Sequence, residues 1–347
     1  MRPYRWRKPM IDPKIEVTDL KKHFKSNEDL FTRLFGWGEV EYVKAVDGVS
    51  FDIAEGESFG LAGESGCGKT TCGKSLLHLL EPTSGSVRFD GRDVTDPDVR
   101  DEMDFRTEAQ IIQQNPYESI NPRYRVFDWI KEPLDVHEIG TAEEREETVI
   151  ETIESVGLNP PEAYMHEYPS ELSGGERQRV SIARAIILEP SFILADEPAS
   201  MLDVSVRASI LDLLDRLQEE LGISILYISH DLSLLKHMCD RIGIMYLGKL
   251  VEVGSATEVI NDPQHPYTKA LVGSTPTVDP DDRRESVELQ GEIPDPVNLP
   301  SGCRFAPRCP EAMDECTAEE PAMYPTEAGQ QARCVLYDEE TVNTIPK

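Results

Sequence analysis

The chain has 347 residues, with 65 acidic against 35 basic side chains, a formal net charge of −30 and seven cysteines. That length holds one α/β domain plus an appendage. So negative a field repels nucleic acid and anionic lipid, and no apolar run nears the ~20 residues that span a bilayer.

The acids fall in several runs, Asp96–Asp104, Glu143–Glu151, Asp279–Glu285 and Glu311–Glu320, not in one tail. This spread suits a halophile's high-salt cytoplasm, where molar salt confines charge effects to ~3 Å. A merely acidic protein is the alternative. In chain order, residues 1–13 are an N-terminal extension, of which 1–9 are basic with Tyr4 and Trp6. It reads as a frayed terminus or as a segment touching lipid headgroups.

Ser58–Ala62 reads as a buried strand and Thr70–Leu80 as a helix. Between them Gly63-Glu64-Ser65-Gly66-Cys67-Gly68-Lys69-Thr70 carries the G-x-x-x-x-G-K-[ST] pattern. Its glycines let backbone N–H groups wrap the α- and β-phosphates of a nucleotide. Lys69 would reach the β- and γ-phosphates, and the Thr70 hydroxyl would hold Mg²⁺. Gly63 through Thr70, with Thr71, are the candidate nucleotide-binding residues.

Gln114 follows Ile111-Ile112 and could ligate Mg²⁺ or the attacking water, with Gln113 one residue away as the competing choice. Tyr117–Tyr168 is rich in Glu, with helical patterning from Ala142 to Val156, and reads as an inserted helical subdomain. Leu172-Ser173-Gly174-Gly175-Glu176-Arg177-Gln178 reads as a helix start. Ser173 sits at the N-cap, and Val180, Ile182, Ala183, Ala185 and Ile186 continue at helical spacing. Such an end offers N–H groups and the positive dipole end to an anion; a simple turn is the other reading. Ser191–Glu197 is an apolar strand ending in Asp196 and Glu197. The first acid could hold Mg²⁺ and the second orient or deprotonate water. Ile223–Ser229 is another such strand, ending at His230, which could hold the γ-phosphate.

Walker A loop, Gln114, Leu-Ser-Gly-Gly-Glu, Walker B and His230, in that order, resemble the nucleotide-binding subunit of an ABC transporter over about residues 14–255. The resemblance implies an α/β fold: a P-loop NTPase core with a RecA-like sheet, an antiparallel β subdomain and an inserted helical subdomain at about 117–180. The nucleotide-binding domain would be 14–257 and a C-terminal extension 258–347. Asp196 becomes the Mg²⁺ carboxylate and Glu197 the catalytic base, with His230 and Gln114 beside them. Ser200-Met201-Leu202-Asp203 is similar to the family's D-loop, departing at Met201 where a small residue is usual. Ser173, Gly174 and Gly175 would complete the ATP site of a partner subunit. The family stacks adenine on an aromatic residue, here Phe24 with Tyr42 competing, and Asn27–Val40 reads as an insertion between them.

Gln114–Arg123 and His265-Pro266-Tyr267-Thr268-Lys269-Ala270-Leu271 resemble segments of the oligopeptide, dipeptide and nickel importers. With Gly-Cys-Gly-Lys in the phosphate loop, the likeness is to their F ATPase more than their D ATPase. It implies a heterodimer with a second ABC ATPase, two transmembrane permease subunits, an extracellular solute-binding protein, and a peripheral place at the cytoplasmic face of the membrane. An accessory ATPase of a soluble complex, as in carbon–phosphorus lyase assemblies, and an ABC ATPase acting on nucleic acid are the other classes.

Gly291–Gly302, with three prolines, reads as a linker. Beyond it lies Cys303-x5-Cys309-x6-Cys316-x17-Cys334, whereas Cys67, Cys72 and Cys239 read as small buried residues. No signal peptide is evident, so disulfides are not expected. Four thiolates suggest a metal, yet Zn²⁺ sites usually show closer Cys pairs. The resemblance of Cys-Arg-Phe-Ala-Pro-Arg-Cys-Pro to the dipeptide importer tail implies a [4Fe–4S] cluster on all four. Zn²⁺ and oxidisable free thiols stay open.

Overall fold

β1 (Ile15–Lys25) shows how side-chain alternation builds the first sheet. Ile15 and Val17 point inward, and the period then slips so that Leu20 is the next buried residue. The slip falls at Asp19, which lies in the left-handed region at φ 46°, the local kink of an irregular strand. A four-stranded sheet follows in the order β2-β1-β4-β5, with β2 at Tyr42–Ile53, β4 at Ser84–Phe89 and β5 at Arg92–Asp93. The computed structural model describes residues 13–26, 41–102, 105–274, 289, 291 and 294–338. Residues 1–12, the insertion Asn27–Val40 and the acids Asp279–Glu285 lie outside the described residues.

Among the described residues the chain divides into two units. The first comprises Met1–Glu16, Asp52–Ser58 and Arg88–Tyr227. Its sheet runs β8-β7-β6, from β6 (Ala109–Ile112), β7 (Phe192–Asp196) and β8 (Ser224–Ile228). β7 and β8 are buried at every residue, as strands covered on both faces are. β6 and β7 are parallel, with Ile112 opposite Ala195, so both chains leave the sheet at one edge. Helices Val126–Val136 and Ala142–Ser155 pack on the helix Gly174–Ile186, which also packs on β6 and on the helix Val204–Leu221. The second of these starts with a capping box. The Thr141 hydroxyl accepts from the Glu144 N–H at 3.3 Å, and the Glu144 carboxylate accepts from the Thr141 N–H at 2.7 Å.

The second unit comprises Val17–Phe51, Phe59–Val87 and Ile228–Lys347. Its strands run β11-β12-β10-β9-β3, with β3 at Ser58–Ala62, β9 at Arg241–Tyr246, β10 at Lys249–Ser255, β11 at Tyr324–Pro325 and β12 at Gln331–Ala332. β3 and β9 are parallel. The C-terminal region adds the β11–β12 hairpin to β10, pairing Ala332 with Glu252 and Gln331 with Val253. The described residues between 258 and 338 thus belong to the same unit as the phosphate loop. No helix among the described residues is long and apolar enough to cross a membrane.

Candidate active site

The phosphate loop leaves β3 at Gly63, whose φ is 148°. A Cβ there would lie 2.2 Å from the Met245 carbonyl, and one on Gly68, at φ 107°, 2.0 Å from the Ala45 carbonyl. Only glycine lets the loop lie so close to its neighbours with such torsions. Lys69 opens the helix Lys69–Leu76 and is 6 % exposed. Its ammonium donates to the carbonyls of Gly63 at 2.7 Å and Glu64 at 3.0 Å, closing the loop on itself. Ser65 and Gly66 are exposed, Cys67 is buried, and Thr70 and Thr71 stand half-buried in the first helical turn. No acid occupies that turn, which leaves the positive end of the helix uncancelled by its own residues. His230 is exposed, just past the end of β8.

The parallel pairing of β6 with β7 brings the expected water-handling residues together. The Gln114 amide donates to a Glu197 carboxylate oxygen at 2.8 Å, so of the neighbouring glutamines Gln114 is the one aimed at the acid. Glu197 sits in the left-handed region at φ 46°, a conformation that costs a non-glycine residue ~1–3 kcal/mol and collects at working sites. Asp196 ends β7, buried.

Ser173 is the N-cap of the helix Gly174–Ile186, as its sequence predicts, but inside a full capping box. Its hydroxyl accepts from the Glu176 N–H at 3.4 Å, while Glu176 accepts from the Ser173 N–H at 2.7 Å. Those hydrogen bonds to Ser173 hold the Glu176 carboxyl below the usual range. The Ser-x-x-Glu spacing carries this signal in the sequence, where only the cap was read. The two glycines also have a packing reason. A Cβ on Gly175 would lie 2.6 Å from a Val206 methyl, and one on Gly174 3.4 Å from a Leu202 methyl. Asp203 caps the helix Val204–Leu221, accepting from the N–H groups of Ser205 at 3.2 Å and Val206 at 3.1 Å. Phe24 and Tyr42 are 37 % and 41 % exposed, near the joined ends of β1 and β2 where the Ser26 N–H reaches the Glu41 carbonyl at 2.9 Å. Both are surface rings, not core.

The His-Pro-Tyr segment has a local logic that sequence reasoning missed. His265 Nδ1 accepts from the Tyr267 N–H at 3.0 Å, capping the helix Pro266–Gly273, and Pro266 takes the first helical position. The Tyr267 hydroxyl then accepts from the Glu64 N–H of the phosphate loop at 2.9 Å. Beneath, the buried Glu252 accepts from the Gln264 and His265 N–H groups, and burial pushes its carboxyl up to about 7.

Cys303, Cys309, Cys316 and Cys334 all line one cavity of about 10 Å³, with His265 and Phe305 also in its wall. That is room for about one water. Burial raises the thiols of Cys303, Cys309 and Cys334, Cys309 to about 11 and Cys334 to about 12. All seven cysteines are free thiols. Among the described residues no three His, Cys, Asp or Glu side chains are arranged to hold a metal ion. The expected four-thiolate ligand set is therefore a neighbourhood and not an assembled site. Cys303 and Cys316 pack with Ala306, Met313 and Val335 as apolar groups.

A family model described as ABC transporter matches residues 46–200, and one described as oligopeptide/dipeptide transporter, C-terminal region, matches 251–316. YkfD of Bacillus subtilis (strain 168), by its provisional name an oligopeptide transport ATP-binding protein, is 48% identical over 94% of this chain and 96% of its own length. The dipeptide transport ATP-binding protein DppF of Haemophilus influenzae is 41% identical over 94% and 97%, and the oligopeptide transport ATP-binding protein AppF of Bacillus subtilis 43% identical over 93% and 97%. Among solved structures, cbiO1 of Clostridium perfringens, part of the ABC transporter complex cbiONQ, superposes with TM-score 0.60 at 25% identity over 73% of this chain and 92% of that one. The dimeric bacterial ABC transporter cassette MJ0796 does so with TM-score 0.60 at 27% identity over 70% and 98%. With near full-length relatives this similar, a matching C-terminal region and the cassette fold, the chain belongs to the ABC transporter ATP-binding subunits of the oligopeptide/dipeptide importer family.

Proposed function

We propose that this chain hydrolyses MgATP to drive peptide import through a membrane permease. The observation that carries the chemistry is the Gln114–Glu197 hydrogen bond at the ends of two parallel strands. Gly63–Thr71 wrap the phosphates, and Lys69 gives up its carbonyl partners for the β- and γ-oxygens. Hydroxyl, amide and carboxylate oxygens of Thr70, Gln114 and Asp196 are the hard donors that suit Mg²⁺, which when bound screens the phosphate charge. Glu197 orients and deprotonates the attacking water, and His230 steadies the γ-phosphate. Phe24 or Tyr42 stacks on adenine.

Ser173, Gly174, Gly175 and the Asp203 loop serve the nucleotide of a second ABC ATPase, a reading supported by the dimeric state of the MJ0796 cassette. The relatives named DppF and AppF support the F-type assignment. Two permease subunits dock along Gln114–Arg125, an extracellular binding protein delivers the solute, and the subunit is peripheral at the cytoplasmic face of the membrane. A tagged chain recovered from its native membranes should bring down permease subunits, a second ATPase and a solute-binding protein. Recovery with a soluble lyase or with nucleic acid instead would overturn the importer reading.

The cysteine cavity is proposed to take a thiolate-bound group, a [4Fe–4S] cluster by resemblance, with Zn²⁺ the competitor. Loading must displace protons from the raised thiols and open the wall. Anaerobically purified protein should be brown and lose its visible absorbance in Cys309→Ser. Colourless protein with one equivalent of zinc would replace the cluster by zinc, and metal-free protein would remove both.

The charge of −30 supports a salt-rich working medium. Melting temperature should then fall steadily on dialysis from molar to ~0.01 M salt, where the screening length grows from ~3 to ~30 Å. A flat profile would sink the halophile reading.

A further inference from the structure

Glu64 is an anion placed inside a loop that must accept a polyphosphate. It is not left bare. The Arg308 guanidinium meets its carboxylate at 3.0 and 3.3 Å through two nitrogens. Arg308 is 7 % exposed, and one of those nitrogens also lies 3.4 Å from the Tyr246 hydroxyl. On the backbone side, the Tyr267 hydroxyl holds the Glu64 N–H at 2.9 Å. Tyr246, Tyr267 and Phe305 form one aromatic cluster, with ring centroids 4.6 to 5.4 Å apart. The contacts with Glu64 are therefore fixed by a packed base. Glu64 is gripped at both ends by the C-terminal region.

We infer that Arg308 and Tyr267 are positioning residues for the phosphate loop: they neutralise the Glu64 carboxylate and hold it off the polyphosphate. This rests on the reading that Gly63–Thr71 bind ATP. A buried, bidentate arginine cancels the charge of its partner locally, where screening by salt is weak. Without it, Glu64 repels the incoming phosphates, and the loop loses the tether that sets its entrance.

The test is MgATP affinity by calorimetry on the full chain, at one ionic strength, with steady-state kinetics beside it. Arg308→Gln should weaken MgATP binding about tenfold and raise KM for ATP with kcat within about twofold. Adding Glu64→Gln should restore most of that affinity, because the unpaired charge is gone. A merely structural arginine would not be rescued by removing a charge elsewhere. Tyr267→Phe, which deletes a single oxygen, should raise KM about threefold and keeps the idea testable if Arg308→Gln folds poorly. Unchanged affinity in both single variants, or a double variant no better than Arg308→Gln alone, overturns the proposal. Lys69→Ala separates the two readings. If it binds MgATP like the wild type, the nucleotide site itself is misplaced; if it fails to bind while Arg308→Gln and Tyr267→Phe bind normally, the positioning role alone is lost.

Discussion

Glu197→Gln should cut ATP turnover by ~100-fold or more, the share that a positioned general base supplies, while MgATP still binds. The substitution is nearly isosteric. The Gln114 amide now donates to a carboxylate oxygen at 2.8 Å, and a glutamine carbonyl offers the same acceptor. Shape and contact survive, and the capacity to take a proton does not. Glu197 also sits at φ 46°, so the backbone already carries strain to aim this side chain. A species that binds ATP and does not hydrolyse it should accumulate as the closed dimer with the second ATPase, read by gel filtration of the two subunits together with MgATP. Turnover within about twofold of the wild type would remove Glu197 as the base. Gln114→Ala gives the companion measurement. It should slow turnover by less than Glu197→Gln, since it deletes the contact to Glu197 and leaves that carboxylate in place.

Gly68→Ala should be the most disruptive single-methyl change in the phosphate loop. The added Cβ would lie 2.0 Å from the Ala45 carbonyl oxygen, with φ at 107°. No rotamer relieves a contact made by Cβ itself, so backbone must move. The expected cost is ~3 kcal/mol or more, a fall of ~4 °C or more in melting temperature for a chain of this size, with MgATP affinity reduced at least tenfold. Gly66→Ala is the control. Gly66 also has positive φ, at 80°, but a Cβ there meets nothing within 4 Å, so the cost should be only the ~1–2 kcal/mol of the left-handed torsion. Equal effects from the two substitutions would mean that torsion, not the Ala45 contact, governs the loop.

The contrast between these glycines marks how far the residues alone could be read. The G-x-x-x-x-G-K-[ST] spacing located the loop, and Ser58–Ala62 was legible as its strand to the residue, because a short, mostly apolar run between turn residues is a local signal. The helix expected from Ala142 to Val156 forms over Ala142–Ser155, because apolar residues recurring at helical spacing are also a local signal. Gln114 against Gln113 was not legible, since adjacent residues differ only in where the strand end points them. Gly174 and Gly175 were read as a phosphate cradle, yet they also make room for Val206 and Leu202, neighbours that helix packing alone supplies. The cysteines were read as four ligands. The structure gathers them around one cavity but as free thiols, two of which, Cys303 and Cys316, pack among apolar side chains.

The sequence by itself determined the family and placed its glycine-rich motifs and acid-ended strand, because glycine spacing, strand ends and capping residues act over a few positions. Only the tertiary structure decided which groups meet. Gln114 reaches Glu197 across 83 positions, and Glu64 is held by Tyr267 and Arg308 across 203 and 244. Such pairings are set by the parallel register of β6 on β7 and by the packing of Tyr246, Tyr267 and Phe305. Neither is written in any local run of residues.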